Sequence, residues 1–496
     1  MPSLRSLALA LCALTADAFL PHNKRAVYPA PVEGYTTILS PSNVTIRYKE
    51  PGNDGVCETT PGVRSYSGYI SVAPGMNSFF WFFESRRDPE HDPITLWLNG
   101  GPGSDSQIGL FQELGPCMIA ENLTSYINPY SWSEVSNLYV ILVALLCSLH
   151  HLTTFSIFLS QPYGVGFSNE GEEIGSFNNV TGSLEDASIA PPTGRYPLVD
   201  YLDYDTTELA AMAAWNIIQG FYSDLYRLDS NVHSLEFNLW TESYGGHYGP
   251  AFFDYFQERN AAIENNTLPG YLLTMNSLGI GNGIINEYIQ APFYPEFAVN
   301  NTYGIKAYND TVYEYAKFAC YMNNGCLDQI TYCNQANRST SAGQAVCTEA
   351  ENECRDNVES PYYYYGGRGV YDIRHPFNDP TPYKYYLDYL NQASVQQAIG
   401  VDLNYTNAND DIYFAFQQTG DFVYPDFLAD LERILNSGVR VALYYGFVLP
   451  SFLRLLYEHL LTFVRSDADY ICNVGFSLTP SRDLFCVLTF RTVVWR

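Results

Sequence analysis

Positive charge is scarce in this sequence. Lysine and arginine together number 25 against 53 aspartates and glutamates, which gives a formal charge of −28 over 496 residues. So large an excess of negative charge repels nucleic acids and anionic membranes, and it excludes both as main partners. Many of these carboxylates lose their charge in acid. The composition therefore fits a protein of a proton-rich compartment, such as the cell exterior or the lumen of a vacuole.

The eleven cysteines contain no CxxC pair, the spacing that is typical of zinc sites. We therefore expect disulfides and no bound metal. Five cysteines crowd one region of the sequence, and Cys57 would supply a sixth partner. A nested pattern is one interpretation, and the spacing leaves other connectivities open. Its pairs would be Cys326–Cys333, Cys320–Cys347 and Cys57–Cys354.

The start of the chain lacks a hydrophobic run long enough to span a bilayer. Arg5 precedes an apolar stretch from Leu7 to Leu14, and small residues follow at 16–18. This layout predicts a signal peptide over residues 1–18 and a secreted protein, with the vacuolar lumen as the alternative. Eight Asn-x-Ser/Thr sequons add to the case for a secretory glycoprotein. They begin at Asn43, Asn122, Asn179, Asn265, Asn300, Asn309, Asn337 and Asn404.

One internal apolar run, residues 138–159, is nearly long enough to cross a membrane. His150 and His151 lie in its middle, where an ionisable side chain would be costly. A membrane-anchored form is therefore the minor alternative.

No internal repeat is present, and short apolar runs alternate with amphipathic stretches. Residues 94–98, 235–240 and 439–445 are apolar runs that each lead into a Gly- or Ser-rich turn. Residues 205–222 have the spacing of a helix with one buried face. This alternation predicts an α/β sheet whose chemistry lies at the carboxyl ends of its strands. Residues from about 300 to 375 are rich in Tyr, Asn and Cys, and we expect them to form a disulfide-stapled cap.

A candidate nucleophile stands in one of these turns. Ser243 lies in the segment Glu242-Ser243-Tyr244-Gly245-Gly246, after a predicted strand and before a predicted helix. A sharp turn in this context presents the Ser Oγ above the edge of the sheet. The general pattern has glycine two residues before the serine. Here Thr241 takes that place, so the pattern is met only in part.

Acyl transfer also needs N–H donors for the oxyanion that develops in the transition state. The N–H of Tyr244, directly after the nucleophile, is one candidate. The loop Asn99-Gly100-Gly101 follows an earlier predicted strand and is placed to supply another. A tight turn without any catalytic role is the alternative interpretation of this loop.

Together these stretches resemble the serine carboxypeptidase family. ITLWLNGGPGSDS is similar to the family's WLNGGPGCSS block, and GLFQELGP follows at the expected distance. SQPYGVGFS, TESYGGHYGP and DADYICN are similar to three further family blocks in the family's order. The resemblance implies an α/β-hydrolase fold, with a mixed, mostly parallel sheet flanked by helices and a cap insertion. One domain would occupy residues 19–473.

The resemblance also implies roles for individual residues. Ser243 would be the nucleophile, and Asp469 would orient the catalytic base. Gly101 and Tyr244 would donate the oxyanion N–H groups. The terminal carboxylate of the substrate would be held by Trp97, Asn99, Gly100, Glu113 and Glu242.

The glutamate pair has a physical rationale. Two facing carboxyl groups resist double ionisation, so one of them keeps a proton at a raised pKa. A protonated glutamate donates a hydrogen bond to a peptide carboxylate, whereas an ionised one repels it. Binding is therefore expected to favour acidic pH, and no cofactor is needed.

The chain departs from the family at several places. Ser104 replaces a family cysteine, so that disulfide is missing or rerouted. Residues 141–158 and 447–466 interrupt stretches that the family runs through without a break. Residues 474–496 form an atypical tail. The two inserts and the tail look like translated intervening sequence.

No histidine follows Asp469, although this fold has the catalytic order Ser, Asp, His. His247 and His459 are the candidate substitute bases. The sequence thus predicts a serine-type carboxypeptidase that removes C-terminal residues at acidic pH. The alternative is an inactive secreted relative that binds peptide C-termini without cleaving them. A monomer and a homodimer fit equally well.

Overall fold

The computed structural model describes residues 28–39, 44–73, 75–141, 165–178, 183–186, 191–379, 382–424, 427–446, 469–476 and 484–491. Most of the insert at 141–158 and all of the insert at 447–466 lie outside these residues. The predicted signal peptide lies outside them too.

The described strands form one large sheet and two small ones. In chain order they are β1 (Thr36–Leu39), β2 (Thr45–Lys49), β3 (Ser65–Ala73), β4 (Met76–Phe83), β5 (Ile94–Leu98), β6 (Cys117–Ile119), β7 (Ser125–Ile127), β8 (Asn137–Ile141), β9 (Gly171–Asn178), β10 (Ser183–Asp186), β11 (Gly194–Leu198), β12 (Glu236–Glu242), β13 (Thr274–Gly281), β14 (Arg440–Gly446), β15 (Asp469–Phe476) and β16 (Leu484–Arg491).

The helices fill the segments between strands. They are α1 (Gln107–Gln112), α2 (Thr207–Leu228), α3 (Gly245–Glu264), α4 (Glu287–Gln290), α5 (Phe293–Val299), α6 (Asp310–Tyr321), α7 (Cys326–Gln335), α8 (Ser341–Cys354), α9 (Ser360–Tyr365), α10 (Tyr385–Leu390), α11 (Ala393–Ile399), α12 (Asp410–Thr419) and α13 (Phe427–Asn436).

The large sheet has the order β1-β2-β3-β4-β8-β5-β12-β13-β14-β16-β15. Its five central strands, from β8 to β14, are parallel, and antiparallel strands flank them on both sides. All five residues of β5 are buried, as expected for a parallel strand covered on both faces. The predicted mixed sheet flanked by helices is confirmed.

Strand β4 shows how the sheet separates two cores. Phe80 and Phe82 belong to one cluster, with residues of α2, α3 and α13. Phe79, Trp81 and Phe83 point to the other face and pack with residues of α1, α10 and α11. Successive side chains of a strand alternate between its faces, so a run of aromatics supplies both cores at once.

Helix α2 confirms the helical spacing predicted over residues 205–222. Its N-cap Thr206 accepts a hydrogen bond from the N–H of Leu209 at 3.3 Å. Glu208 in the first turn and Arg227 in the last complement the helix dipole. Tyr222 of this helix packs its ring 6.4 Å from that of Phe237 on β12, so the helix contributes to the core on this face of the sheet.

The predicted cap is a helical region from α6 to α9, and two disulfides join α7 to α8. The pairs are Cys326–Cys354 and Cys333–Cys347. The nesting was predicted, but the pairing was wrong at every cysteine. Cys57 binds Cys117, 60 residues away, and Cys320 is a free, buried thiol. Sequence spacing does not reveal which cysteines meet, because that depends on how α7 and α8 pack.

The tail also contributes to the sheet. Strand β16 pairs with β14 over six residues, from Val441↔Phe490 to Gly446↔Phe485, and β15 is the outermost strand. Within the described residues no helix is long and apolar enough to cross a bilayer. Most of the apolar run at 138–159 lies outside them.

Candidate active site

Ser243 occupies a sharp turn between β12 and α3. Its backbone has φ of 61°, a left-handed conformation that a non-glycine residue adopts only when its surroundings hold it there. Its N–H donates to the carbonyl of Gly281 at 2.9 Å, and its own carbonyl accepts from Gly246 and Ile284 at 2.9 Å each. The end of β13 therefore fixes the turn. The predicted strand–turn–helix arrangement is present, and the side chain of Ser243 is half-buried.

The Gly-rich loop after β5 lies directly against this turn. A Cβ added to Gly100 would overlap Tyr244 N. The same Cβ would lie 2.7 Å from the carbonyl oxygen of Glu242 and 2.9 Å from Ser243 Cβ. Only glycine allows so close an approach. Gly101, the next residue, has φ of 117°, which again favours glycine. The structure thus brings the loop of Gly101 to Tyr244, and their role as oxyanion donors stays a prediction.

Beside the turn, Asn99 joins two glutamates. Its Oδ1 accepts from Trp97 Nε1 and from the N–H of Gly109, both at 2.9 Å. Because the oxygen accepts these two hydrogen bonds, the orientation of the amide is fixed and Nδ2 points to Glu113 and Glu242. Nδ2 donates to these two carboxylates at 3.1 and 3.2 Å. Trp97, Asn99, Glu113 and Glu242 were each predicted from sequence, and the structure brings them together next to Ser243.

Both carboxyl groups accept from Asn99 Nδ2, and two carboxyl groups placed so close together resist double ionisation and hold a proton between them. Desolvation by the surrounding protein raises the pKa of Glu242 well above its usual range, and the Glu113 charge raises it further. Desolvation also raises the pKa of Glu113, although hydrogen bonds from Glu242 and Asn99 oppose it. Glu113 is exposed and Glu242 is half-buried, so the pair is reached by solvent from one side.

Two tyrosines near the pair were not predicted. The side chain of Tyr371 is 80% exposed, yet the charges of Glu242 and Glu113 add to the desolvation that raises its pKa. Tyr444 lies on β14 against Gly281, and the same two charges, after burial, raise its pKa well above normal. Both hydroxyls therefore remain hydrogen-bond donors. Tyr444 is the second-last residue of a predicted strand and could have been found, whereas nothing near Tyr371 in sequence points to this site.

The structure does not bring Asp469 to Ser243. Asp469 pairs with Arg491 at the start of β15, level with the amino end of β14, whereas Ser243 follows the carboxyl end of β12. Along the strand direction, Asp469 and Ser243 are therefore about five residues apart, at ~3.3 Å per residue. Across the sheet they are four strands apart, at ~4.8 Å per strand. Residues 447–468 intervene after β14, so Asp469 is not held at the strand end. Its role in orienting the catalytic base stays a prediction.

No described histidine contacts Ser243. Three of the described histidines, His91, His233 and His375, each contact an acidic residue instead. His247 is fully buried between the rings of Tyr244 and Phe427, each at 4.6 Å. Neither of its ring nitrogens has a partner among the described residues, and burial, followed by the Arg338 charge, lowers its pKa to about 3. His247 is therefore not placed as the base. His459 lies outside the described residues.

The sequons differ in exposure. Asn404 is 7% exposed, and its Oδ1 accepts from the N–H of Arg195 at 2.8 Å. This burial disfavours a glycan on Asn404 in the folded chain, and its glycosylation stays a prediction. Asn43 and Asn179 lie outside the described residues. The exposed sequons, which remain predictions, begin at Asn122, Asn265, Asn300, Asn309 and Asn337.

Comparison with known proteins agrees with this geometry. A family model described as serine carboxypeptidase matches residues 51–144 and 150–448. Carboxypeptidase S1 homolog A of Arthroderma otae is 35% identical over 487 residues, covering 90% of this chain and 68% of the relative. Carboxypeptidase S1 of Penicillium janthinellum is 35% identical over 422 residues, covering 85% and 81%. A prohormone-processing carboxypeptidase of Saccharomyces cerevisiae shares the fold, with a TM-score of 0.57, 17% identity and coverage of 94% and 92%.

Proposed function

Because the chain belongs to the serine carboxypeptidase family, we propose that it releases C-terminal residues from peptides at acidic pH through an acyl-enzyme on Ser243. One observation carries this proposal. The Asn99–Glu113–Glu242 cluster directly adjoins the nucleophile, since Glu242 and Ser243 are consecutive. A peptide whose terminal carboxylate binds that cluster presents its last peptide bond to Ser243.

The cluster suits a carboxylate at low pH. The proton held by the glutamate pair supplies a donor beside the nucleophile, and the charges of the pair raise the pKa of Tyr371 and Tyr444, whose hydroxyls stay protonated. Hydrogen bonds to a charged partner contribute about 1.5–3 kcal/mol each, so a peptide with a free C-terminal carboxylate should bind more tightly than an amidated one. An internal peptide bond brings no such charge, so the arrangement supports exopeptidase action.

The chemistry that follows is acyl transfer. Ser243 Oγ attacks the carbonyl carbon, its proton passes to a general base, and the released amine takes a proton as the C–N bond breaks. Water then cleaves the ester by the same steps in reverse. Gly101 and Tyr244 N–H groups would stabilise the oxyanion in both halves.

A second function has its own support. Among the described residues Ser243 Oγ has no imidazole partner, and Asp469 begins a distant edge strand. A chain that assembles the carboxylate cluster without a base would bind peptide C-termini and leave them intact. Losing a triad member leaves only about 10³–10⁴-fold catalysis over water.

One experiment separates the two functions. The purified 496-residue chain and its Ser243→Ala variant are compared for release of the last residue from an N-blocked dipeptide at pH 4–6, and for binding of that dipeptide by calorimetry. We expect both chains to bind it. Turnover well above the variant supports the peptidase and shows that another residue serves as base. Binding with equal, negligible turnover supports the binding function, and absence of binding refutes both.

We also propose a secretory destination, either the cell exterior or the vacuolar lumen. The three disulfides of the described residues support it, because such bonds persist in oxidising compartments. Fractionation of cells that express a tagged chain tests this, and recovery in the cytosol would contradict it. Sedimentation distinguishes a monomer from a homodimer.

A further inference from the structure

A buried carboxylate lies behind the nucleophile turn and is not part of the machinery described above. Asp421 follows α12, is fully buried, and accepts four hydrogen bonds. Its Oδ2 accepts from Tyr244 Oη and Thr207 Oγ1, both at 2.5 Å, and from the N–H of Thr207 at 3.1 Å. Its Oδ1 accepts from Arg338 at 3.1 Å.

The four donors belong to three separate parts of the fold. Thr207 is the first residue of α2, so its N–H lies at the positive end of a 22-residue helix dipole. Arg338 lies in the cap between α7 and α8, where its guanidinium also stacks 3.7 Å from the ring centre of Tyr424. Tyr244 directly follows the nucleophile. Asp421 therefore links the sheet helix, the cap and the turn at a single buried point.

Tyr244 is held in place by ring contacts as well as by the hydrogen bond of its hydroxyl. Its side chain is fully buried, 4.6 Å from the ring of Phe422 and 5.8 Å from that of Phe416. Phe422 is the neighbour of Asp421 in sequence, so one short turn fixes both ends of the tyrosine. Burial, followed by the Asp421 charge, raises the pKa of Tyr244 well above normal. The hydroxyl thus stays protonated and donates.

This anchoring of the side chain also fixes the position of the main-chain N–H of Tyr244. The same residue that Asp421 holds supplies the N–H that meets the Gly100 loop beside Ser243. Oxyanion stabilisation depends on donors that are already in position before the reaction, so a small rotation of Tyr244 reduces it.

We propose that Asp421 is a positioning residue for acyl transfer: through the Tyr244 hydroxyl it orients the Tyr244 N–H toward the oxyanion, and through Arg338 it makes that orientation depend on the docked cap. This rests on the proposed function, in which Tyr244 N–H is an oxyanion donor. The carboxylate cluster of Asn99, Glu113 and Glu242 lies outside the network, so binding of the substrate terminus is not expected to depend on it.

The test compares two tyrosine-to-phenylalanine variants of the full chain. Tyr244→Phe removes the hydroxyl that donates to Asp421. Tyr248→Phe is the matched control, because Tyr248 is equally buried one helical turn later and its hydroxyl has no partner among the described residues. We expect Tyr244→Phe to lower kcat about tenfold with KM unchanged, and Tyr248→Phe to leave both unchanged.

A second readout works even if the chain turns over no substrate. In the Ser243→Ala background, infrared spectroscopy follows the ¹³C-labelled scissile carbonyl of a bound N-blocked dipeptide. Hydrogen bonding lowers its stretching frequency, and we expect Tyr244→Phe to lose part of that shift while Tyr248→Phe keeps it. Asp421→Asn should lose at least as much, and circular dichroism shows whether each variant is folded.

The outcomes are distinct. No carbonyl shift in any chain would refute the proposed function itself. A full shift and normal kcat in Tyr244→Phe would overturn the positioning role alone. Equal losses in the two phenylalanine variants, or a KM that rises in step with the loss of kcat, would indicate general destabilisation and would also overturn it.

Discussion

The glutamate pair predicts that this protein loses its affinity for peptide C-termini as pH rises. Glu113 and Glu242 both have raised pKa values and share a proton. A group with a raised pKa keeps its proton further up the pH scale, so the pair still donates in mild acid. Above that pH both carboxyls ionise and face the carboxylate of the ligand. Affinity is therefore present at low pH and lost as pH rises through the raised pKa of the pair.

The size of the effect follows from two contributions. A charge-assisted hydrogen bond contributes about 1.5–3 kcal/mol, and the new repulsion between charges ~4 Å apart reaches ~4 kcal/mol near a protein surface. Glu113 is exposed, so water screens much of the repulsion. We therefore expect a net loss of about 2–3 kcal/mol between pH 4.5 and pH 8, or roughly 30- to 150-fold in Kd.

The perturbation is Glu242→Gln. Glutamine keeps an N–H₂ donor at every pH, so this variant should bind nearly as well as the parent at pH 4.5 and lose no more than about threefold by pH 8. The assay is calorimetry with an N-blocked dipeptide in the Ser243→Ala background, which separates binding from turnover. The parent should show the full loss over the same interval.

Two controls make the result specific. A C-terminally amidated dipeptide should bind weakly and with little dependence on pH, because it has no carboxylate to repel. Glu287→Gln removes another buried glutamate of raised pKa, one that accepts from Tyr294 at 2.9 Å and is not part of this cluster. It should keep the parental profile. A flat profile in the parent, or an equally steep loss in Glu242→Gln, would refute the reasoning.

Three further predictions concern stability and the nucleophile turn. Replacing Cys333 and Cys347 by Ser should lower the free energy of unfolding in urea by about 3 kcal/mol, as expected for a bridge that spans 14 residues; no change would mean that the helices hold the cap unaided. Gly100→Ala should reduce dipeptide turnover or carbonyl polarisation severely because its Cβ overlaps the turn, whereas Gly171→Ala, with neighbours only at 3.7 Å and beyond, should not. Burial raises the pKa of Glu287 to about 8, so its stabilising contribution is complete below about pH 4.5 and lost toward pH 8. Between these pH values the free energy of unfolding should fall by roughly 4 kcal/mol in the parent, and Glu287→Gln should remove this fall. An unchanged dependence of the unfolding free energy on pH in Glu287→Gln would contradict the prediction.

Local patterns predicted the central strands well. The apolar run at 94–98 is β5 without any change of boundary, and the runs at 235–240 and 439–445 differ from β12 and β14 by one or two residues. Fully buried parallel strands carry a strong hydrophobic signal, and the turns that follow them are marked by glycine. The positions of Ser243 and the Gly100 loop follow from these strands, because neighbouring parallel strands end at the same edge of the sheet.

Contacts between distant segments were beyond the reach of such patterns. The partner of Cys57 is Cys117 across 60 residues, and the charges of Glu242 and Glu113 raise the pKa of Tyr371, which is distant from both in sequence. Asn404 likewise accepts a hydrogen bond from Arg195 on β11, which is 209 residues away in sequence. Each of these contacts is decided by tertiary packing. A sequence motif such as Asn-x-Thr is the same whether it lies on a surface or against a neighbouring strand.

The same distinction separates the two halves of the site. Asn99, Glu242 and Ser243 lie on or next to β5 and β12, which pair directly through five residues in register. Glu113 follows the short helix α1 and hydrogen-bonds to Asn99. That half therefore depends only on the centre of the sheet and on α1. Asp469 instead depends on residues 447–468 and on the edge strands β15 and β16. We therefore predict that recognition of a peptide C-terminus does not require the segment that would hold the base, so that binding and turnover are separable in this chain. Deleting residues 447–491 should spare the packing of β5 against β12, so measuring dipeptide affinity in that variant distinguishes a self-sufficient binding half from one that needs the sheet edge.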